Sequence, residues 1–183
     1  YGPQHPNVAD CLNSLGHLLV KTERFDEAES NLVRALKSDE VSYGASHAKI
    51  AVRLGNLAMV FQSTGRLDQA EPLLRRALQI NESAYGNDHP MVAISLNNLA
   101  GMLKLAKRFA EAEPLSCRHL GIFVNFAIKT GFPPPFLAGG INNYGRLLVE
   151  MGDTEEQARK KIAKALAPLQ GISVEVERED SQF

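Results

Sequence analysis

The chain has 183 residues, 44% of them apolar and 22% charged, with 20 lysines and arginines against 21 aspartates and glutamates. A net charge of −1 gives no field that would gather nucleic acid or an anionic membrane surface, and no apolar run reaches the roughly 18 residues of a membrane span, so neither partner is expected. The two cysteines, Cys11 and Cys117, lie far apart with no CxxC spacing; they suit reduced thiols of a cytoplasmic protein rather than a disulfide framework.

Internal repetition organises the rest. Tyr1-Gly2, Tyr43-Gly44 and Tyr85-Gly86 recur every 42 residues, as do His5, His47 and His89, then Leu12, Leu54 and Leu96, then Leu15, Leu57 and Leu99. Later in each unit Arg24, Arg66 and Arg108 are followed by Ala28-Glu29, Ala70-Glu71 and Ala112-Glu113. Residues 43–84 and 85–126 align without gaps at 16 identities in 42. In the third unit Leu96, Leu99, Ala100 and Leu103 share one helical face, and Ala112, Leu115 and Leu120 continue the pattern on a second helix. The short break at Lys107-Arg108 leaves room only for an antiparallel hairpin. Such a hairpin cannot bury both apolar faces alone, and stacking on copies of itself solves that problem.

In chain order, the first unit predicts a helix from about Pro6 with Leu12, Leu15, Gly16 and Leu19 inward, a turn at 21–24, and a second helix from Phe25 to about Glu40. Gly44 suits a left-handed stop after it. The second unit predicts helices near Ala48 to Thr64 and Leu67 to Ser83, with Ser46 as N-cap. Pro72 and Pro114 sit early in second helices and predict a late start or slight bend. The third unit predicts Asp88 as N-cap, then departs from pattern: Ser116 stands where Leu32 and Leu74 stand, and His119 where Ala35 and Ala77 stand. His119 is expected to be partly exposed beside Cys117. The stretch GIFVNFAIKTG extends the helix and predicts a cover for the end of the array. FPPPF at 132–136 cannot be helical and forms a rigid bridge. Beyond it Ile141, Tyr144, Gly145 and Leu148 restore the motif 45 residues on, as a divergent fourth hairpin that Pro168 ends.

The predicted fold is an all-α solenoid of antiparallel helix hairpins with a 42-residue period, three regular and one divergent. One array covers 1–168, in units of about 1–42, 43–84, 85–131 and 132–168, and 169–183 forms a flexible C-terminal tail. The chain opens on a repeat boundary at Tyr1, which predicts a piece trimmed ahead of its first unit, so a targeting segment could have been lost with it.

The unit Y-G-x-x-H-P-x-V-A-x-x-L-N-N-L-A, followed by R-x-x-x-A-E-P-L-x-x-R-A-L, resembles the tetratricopeptide repeat of the kinesin light chain type, strongly over 1–126 and weakly over 137–168. The closing segment is similar to the end of bacterial members of that broad family. The resemblance implies a right-handed superhelix whose first helices line a concave groove that binds peptide segments of other proteins. Residues just outside the buried set would then face ligand: Asn13 and Ser14, Asn56, Asn97 and Asn98, Asn142 and Asn143, with His17, Met59, Gly101 and Arg146 one turn on and Lys104 beyond them. In the resembling family the matching asparagines contact peptide. A ladder of asparagines suits an extended main chain, because each amide offers both donor and acceptor. The same residues could equally be a solvated helix face or join neighbouring hairpins. Lys104 and Arg146 could pair with a ligand carboxylate.

No metal site or cofactor is expected, since the repeated histidines fall in separate units, too far apart to share an ion, and Gly139-Gly140 lacks the spacing of a phosphate loop. There is no triad and no paired carboxylate in an apolar cleft, so the chain reads as non-enzymatic. The leading reading is a protein-binding scaffold for a peptide or partner domain. The runner-up is a module that forms a homo-oligomer through exposed array ends, and the third is a non-catalytic regulatory segment of a larger enzyme.

Overall fold

The computed structural model describes residues 6–169, and every regular element among them is helical. The helices are α1 (Pro6–Lys21), α2 (Phe25–Tyr43), α3 (Ala48–Ser63), α4 (Leu67–Tyr85), α5 (Pro90–Leu105), α6 (Phe109–Thr130), α7 (Leu137–Glu150) and α8 (Glu155–Leu166), with a 3-10 turn at Ala167–Leu169. They pair as four antiparallel hairpins, each packed on the next, in a right-handed α-solenoid of three regular units and one divergent. The tail after 169, His5 and the first Tyr-Gly pair lie outside the described residues.

One turn is used in all four hairpins. Glu23, Gly65, Lys107 and Gly152 take positive φ, at 59°, 74°, 58° and 104°. The next N–H then bonds back into the first helix, Arg24 to the Leu19 carbonyl at 2.9 Å, Arg66 to Phe61 at 2.7 Å, Arg108 to Leu103 at 2.9 Å and Asp153 to Leu148 at 3.1 Å. This Schellman closure satisfies carbonyls that the ending helix would otherwise orphan. Glycine meets the left-handed backbone without cost in two units; Glu23 and Lys107 carry a Cβ against it.

Between hairpins the caps differ from expectation by one residue. His47 and His89, not Ser46 and Asp88, cap α3 and α5: each Nδ1 accepts from the N2 amide, Lys49 at 3.2 Å and Met91 at 3.1 Å. Each ring stacks on the tyrosine that ends the preceding helix, Tyr43 at 4.9 Å and Tyr85 at 4.5 Å between centroids, and this stack aims the nitrogen. The Tyr-Gly-x-x-His spacing is therefore a capping device. Gly44 and Gly86 have φ of 85° and 82° but extended ψ, 155° and 164°, because the chain must straighten into the cap rather than curl as a left-handed stop would. The late starts expected from Pro72 and Pro114 do not occur; α4 and α6 begin five residues earlier, and both prolines face solvent.

The inward face largely matches the periodicity: Leu32, Leu54, Leu74, Leu96, Leu99 and Leu103 are at most 2% exposed. Leu15 departs from it. Its counterparts Leu57 and Leu99 are covered, whereas Leu15 is 44% exposed and Leu18 57%, since no hairpin packs on that side of α1 among the described residues.

The three regular units are tied to one another on the outer side by the repeated Arg and Glu. Arg66 reaches Glu29 at 2.6 Å and Arg108 reaches Glu71 at 2.5 Å; Arg76 meets Glu40 at 2.8 Å and Arg118 meets Glu82 at 2.6 Å. Inside, every joint uses different chemistry at one position. Arg53 of α3, 3% exposed, donates to the fully buried Asp39 of α2 at 2.7 Å and also pairs with Asp10, whose carboxyl is lowered chiefly by that bond. At the next joint Asn81 donates to Ser95 at 2.8 Å. At the third, Gly140 of α7 lies so close to α6 that a Cβ there would stand 2.2 Å from His119 Nε2. His119 is only 4% exposed, which corrects the expectation of partial exposure. Its Nδ1 lies 2.8 Å from the Ala93 carbonyl, its ring meets Phe123 edge-on, and the side-chain-free Gly140 lets α7 seal over it.

The apolar extension of α6 buries Ile122, Phe123, Val124 and Ala127 under the fourth hairpin, and Gly131, with φ 76° and ψ 0°, stops the helix. The bridge that follows is non-helical, and it returns the chain to start α7 beside α5.

Candidate functional site

The first helices α1, α3, α5 and α7 lie side by side on the inner face, and a cavity of about 530 Å³ opens between α3, α5 and α7. Seven of the twelve sequence-predicted residues line it: Asn56, Met59, Asn97, Asn98, Gly101, Lys104 and Asn143. Asn13, Ser14, His17, Asn142 and Arg146 do not; they sit on α1 or on faces of α7 turned from the opening.

The asparagines are not equivalent. Counted by repeat, they form two columns, the first holding Asn13, Gly55, Asn97 and Asn142 and the second Ser14, Asn56, Asn98 and Asn143. Rungs run diagonally from the first column of one unit to the second of the next. Asn56 Nδ2 donates to Asn13 Oδ1 at 2.8 Å, and Asn143 Nδ2 donates to Asn97 Oδ1 at 3.1 Å. These two rungs join neighbouring hairpins, one of the roles left open above. The middle rung is missing, because Gly55 offers no side chain to Asn98. A Cβ built on Gly55 would have Asn98 Nδ2 as its one near neighbour, at 3.9 Å. The exposed Asn98 amide makes no hydrogen bond within the described residues, and Gly55 and Gly101 leave open space beside it.

Around this opening the walls are apolar, with Val52, Met59, Met91 and Ile94, and the buried floor sets small or polar groups, Ala77, Asn81 and Ser116, between Leu74 and Leu147. Ser116 contributes to the floor where the other units have leucine, so the exception in the repeat pattern hollows the groove from beneath. Lys104 stands at the edge with its Nζ 3.0 Å from Glu150, an ion pair bridging α5 to α7. A ligand carboxylate would have to displace Glu150 to use it. The site can thus offer neutral amide donors and acceptors over an apolar bed, with a single neutralised cation. Among the described residues no three metal-ligating side chains come together, and no helix is long and apolar enough to cross a membrane.

The periodicity did not bring forward the apolar walls or a second cavity of about 380 Å³ at the mouth of the bridge, which shares Asn97, Asn98 and Asn143 with the first. The available signals were breaks in the repeat, Gly55 interrupting a column of asparagines, Ser116 in place of leucine and the FPPPF bridge.

Two family models, both described as tetratricopeptide repeat, match residues 8–48 and 46–123. No curated protein matches the chain in sequence. Among solved structures, BtubC (BKLC) from P. vanneervenii superposes with a TM-score of 0.75 at 24% identity, over 98% of this chain and 71% of that one. A Podosopora anserina protein described as a kinesin light chain with nearly identical TPR-like repeats gives a TM-score of 0.68 at 18% identity, over 97% of this chain and 81% of that one. A variant of the latter gives 0.70 at 18%, over 91% and 76%. These likenesses extend the repeat architecture through the fourth hairpin. Repeats of this kind generally mediate protein–protein interaction and typically form non-catalytic scaffolds.

Proposed function

We propose that this chain, which belongs to the tetratricopeptide-repeat family, binds an extended peptide segment of a partner protein in its concave groove, with Asn98 as the central contact. The missing rung carries the reading. In the two rungs Asn13 with Asn56 and Asn97 with Asn143 each amide is spent on its neighbour; at the centre Asn98 is left with both donor and acceptor free, beside two glycines and over an apolar bed, whereas Asn142, which also makes no hydrogen bond among the described residues, lies outside the opening. An extended main chain needs such a two-way partner at every other residue, and Val52, Met59 and Ile94 suit uncharged side chains between.

The test is a random-sequence peptide library displayed against the protein, with affinities of enriched peptides measured for Asn98→Ala and Gly55→Asn. Restoring the asparagine at 55 re-forms the rung and occupies the free amide, so binding should fall about tenfold or more while helix content and melting are preserved. Binding unchanged in both variants would rule the groove out.

A second reading rests on the face of α1 that no described hairpin covers. Leu15 and Leu18 are exposed where the matching residues of later units, Leu57 with Val60 and Leu99 with Met102, are covered by a preceding hairpin. An apolar face of that shape accepts another hairpin of the same repeat, including one from a second copy of the chain. Mass rising with concentration, and abolished by Leu18→Glu, is the expected sign; a monomer at every concentration would dismiss it.

A further inference from the structure

We propose that the second cavity, between α5, the bridge and α7, is an anchor subsite that takes one large apolar side chain of the peptide held in the groove; the proposal rests on the groove reading above. The cavity opens from the groove at Asn97, Asn98 and Asn143, so a chain bonded to the free Asn98 amide passes its entrance. Beyond the three asparagines at its entrance, its walls are Ile94 on α5, His119 and Phe123 on α6, and Pro135 with Phe136 from the bridge, so carbon dominates and the buried His119 ring is the single other polar side chain. No lysine, arginine, aspartate or glutamate lines it. A charged side chain would lose its hydration there with no opposite charge to replace it, whereas an apolar one gains by leaving water.

Two further features make it a receptacle. Phe136 is 61% exposed at the rim, although it immediately precedes α7 and could have been covered by that helix. Its ring is apolar surface that a ligand side chain would bury. The first turn of α7 then carries Gly139 and Gly140 in succession, for different reasons. Gly140 is forced by His119, but a Cβ on Gly139 would meet nothing within 4 Å, so packing does not require glycine there. Any larger residue at 139 would add bulk to the wall of the cavity.

Gly139→Leu is therefore a plug that should leave the fold intact. Peptides enriched from the random-sequence library on the wild type should share a large apolar residue at one position. Gly139→Leu should weaken the best of them about tenfold, and the loss should shrink to less than about twofold when the peptide's own apolar residue is alanine. A parent peptide that binds Gly139→Leu as well as wild type, yet fails on Gly55→Asn, would overturn the subsite and leave the groove standing. An equal loss for parent and alanine peptides would also overturn it. If no peptide is enriched on the wild type over a chain carrying both Gly55→Asn and Gly139→Leu, the groove and the subsite fall together.

Discussion

At Asn56 the side-chain amide is held by Asn13, whereas at Asn98, the same position one repeat on, it has no partner, because Gly55 replaces the asparagine that would hold it. Position in a repeat thus fixes where a side chain points, and one neighbour decides what it does. Asn56→Ala should cost stability, about 0.5 to 1.5 kcal/mol for a half-buried hydrogen bond, while Asn98→Ala should stay within about 0.5 kcal/mol. Urea unfolding of the two variants side by side reads the difference; equal losses would mean that Asn98 is tied down too. Leucines at one repeat position diverge in the same way. Leu57→Ala should cost about 2 to 5 kcal/mol as a buried leucine, and Leu15→Ala clearly less, because Leu15 is already half in water. Periodicity shows which face a residue is on, but not whether that face is covered, so Leu15 keeps the inward register and still stands half in water. His119 departs from expectation in the opposite direction. Its burial depends on Gly140, 21 positions later, and no local pattern links the two.

His119 also gives the molecule a pH dependence. Its Nδ1 must carry the proton that reaches the Ala93 carbonyl, and Nε2 is buried with no partner, so burial holds its pKa below the ordinary value despite the bond to Ala93. The unfolded chain, with an ordinary histidine near pH 6.5, then takes up a proton more readily than the folded one. Its contribution is complete above about pH 6.5 and is lost as the pH falls through the lowered folded value. Thermal unfolding between pH 7.5 and 5 should show a decline that His119→Gln flattens. An unchanged slope would place the titrating group elsewhere.

Among the elements, the turn was the least legible part and the helices the most. Arg24, Arg66 and Arg108 mark its place in the sequence, yet the residue before each one is glutamate, glycine or lysine, and nothing in that variety announces a shared left-handed backbone. The geometry is imposed by closing the first helix against the second. Glu23→Gly should remove the Cβ conflict and raise stability by up to about 1 kcal/mol, whereas Gly65→Ala should lower it by about 1 to 2 kcal/mol. Melting temperatures moving in opposite directions would support this; Glu23→Gly destabilising by more than about 0.5 kcal/mol would show that Glu23 is held by more than its backbone. The caps illustrate a related limit. Serine and aspartate are stronger N-caps than histidine on general grounds, but Tyr43 and Tyr85 orient His47 and His89, a contact between residues that sequence reading counted only as punctuation.

On the scale of the whole molecule, repetition made the solenoid legible, and breaks in the repetition mark the site. Ser116 for leucine hollows the floor, Gly55 for asparagine frees Asn98, and the FPPPF bridge in place of a Tyr-Gly-x-x-His joint adds a second cavity at one end. Seven of twelve expected groove residues reach the opening. The other five share the same helical register, but α1 and the outer faces of α7 lie beyond the curve that closes around α3 and α5. The outer ion pairs, Arg66 with Glu29 and Arg108 with Glu71, hold that curve and account for residues that repeat without touching the groove.

If peptide is recognised by the free amide of Asn98, Gly55→Asn tests that with least disturbance, since it adds a rung that the fold already builds twice. The measurement is fluorescence anisotropy of a library-selected peptide against wild type and Gly55→Asn, paired with thermal unfolding of both. Affinity should fall about tenfold or more with a melting temperature equal or higher. Full affinity in a variant that melts like the wild type would contradict it and move recognition off the concave face.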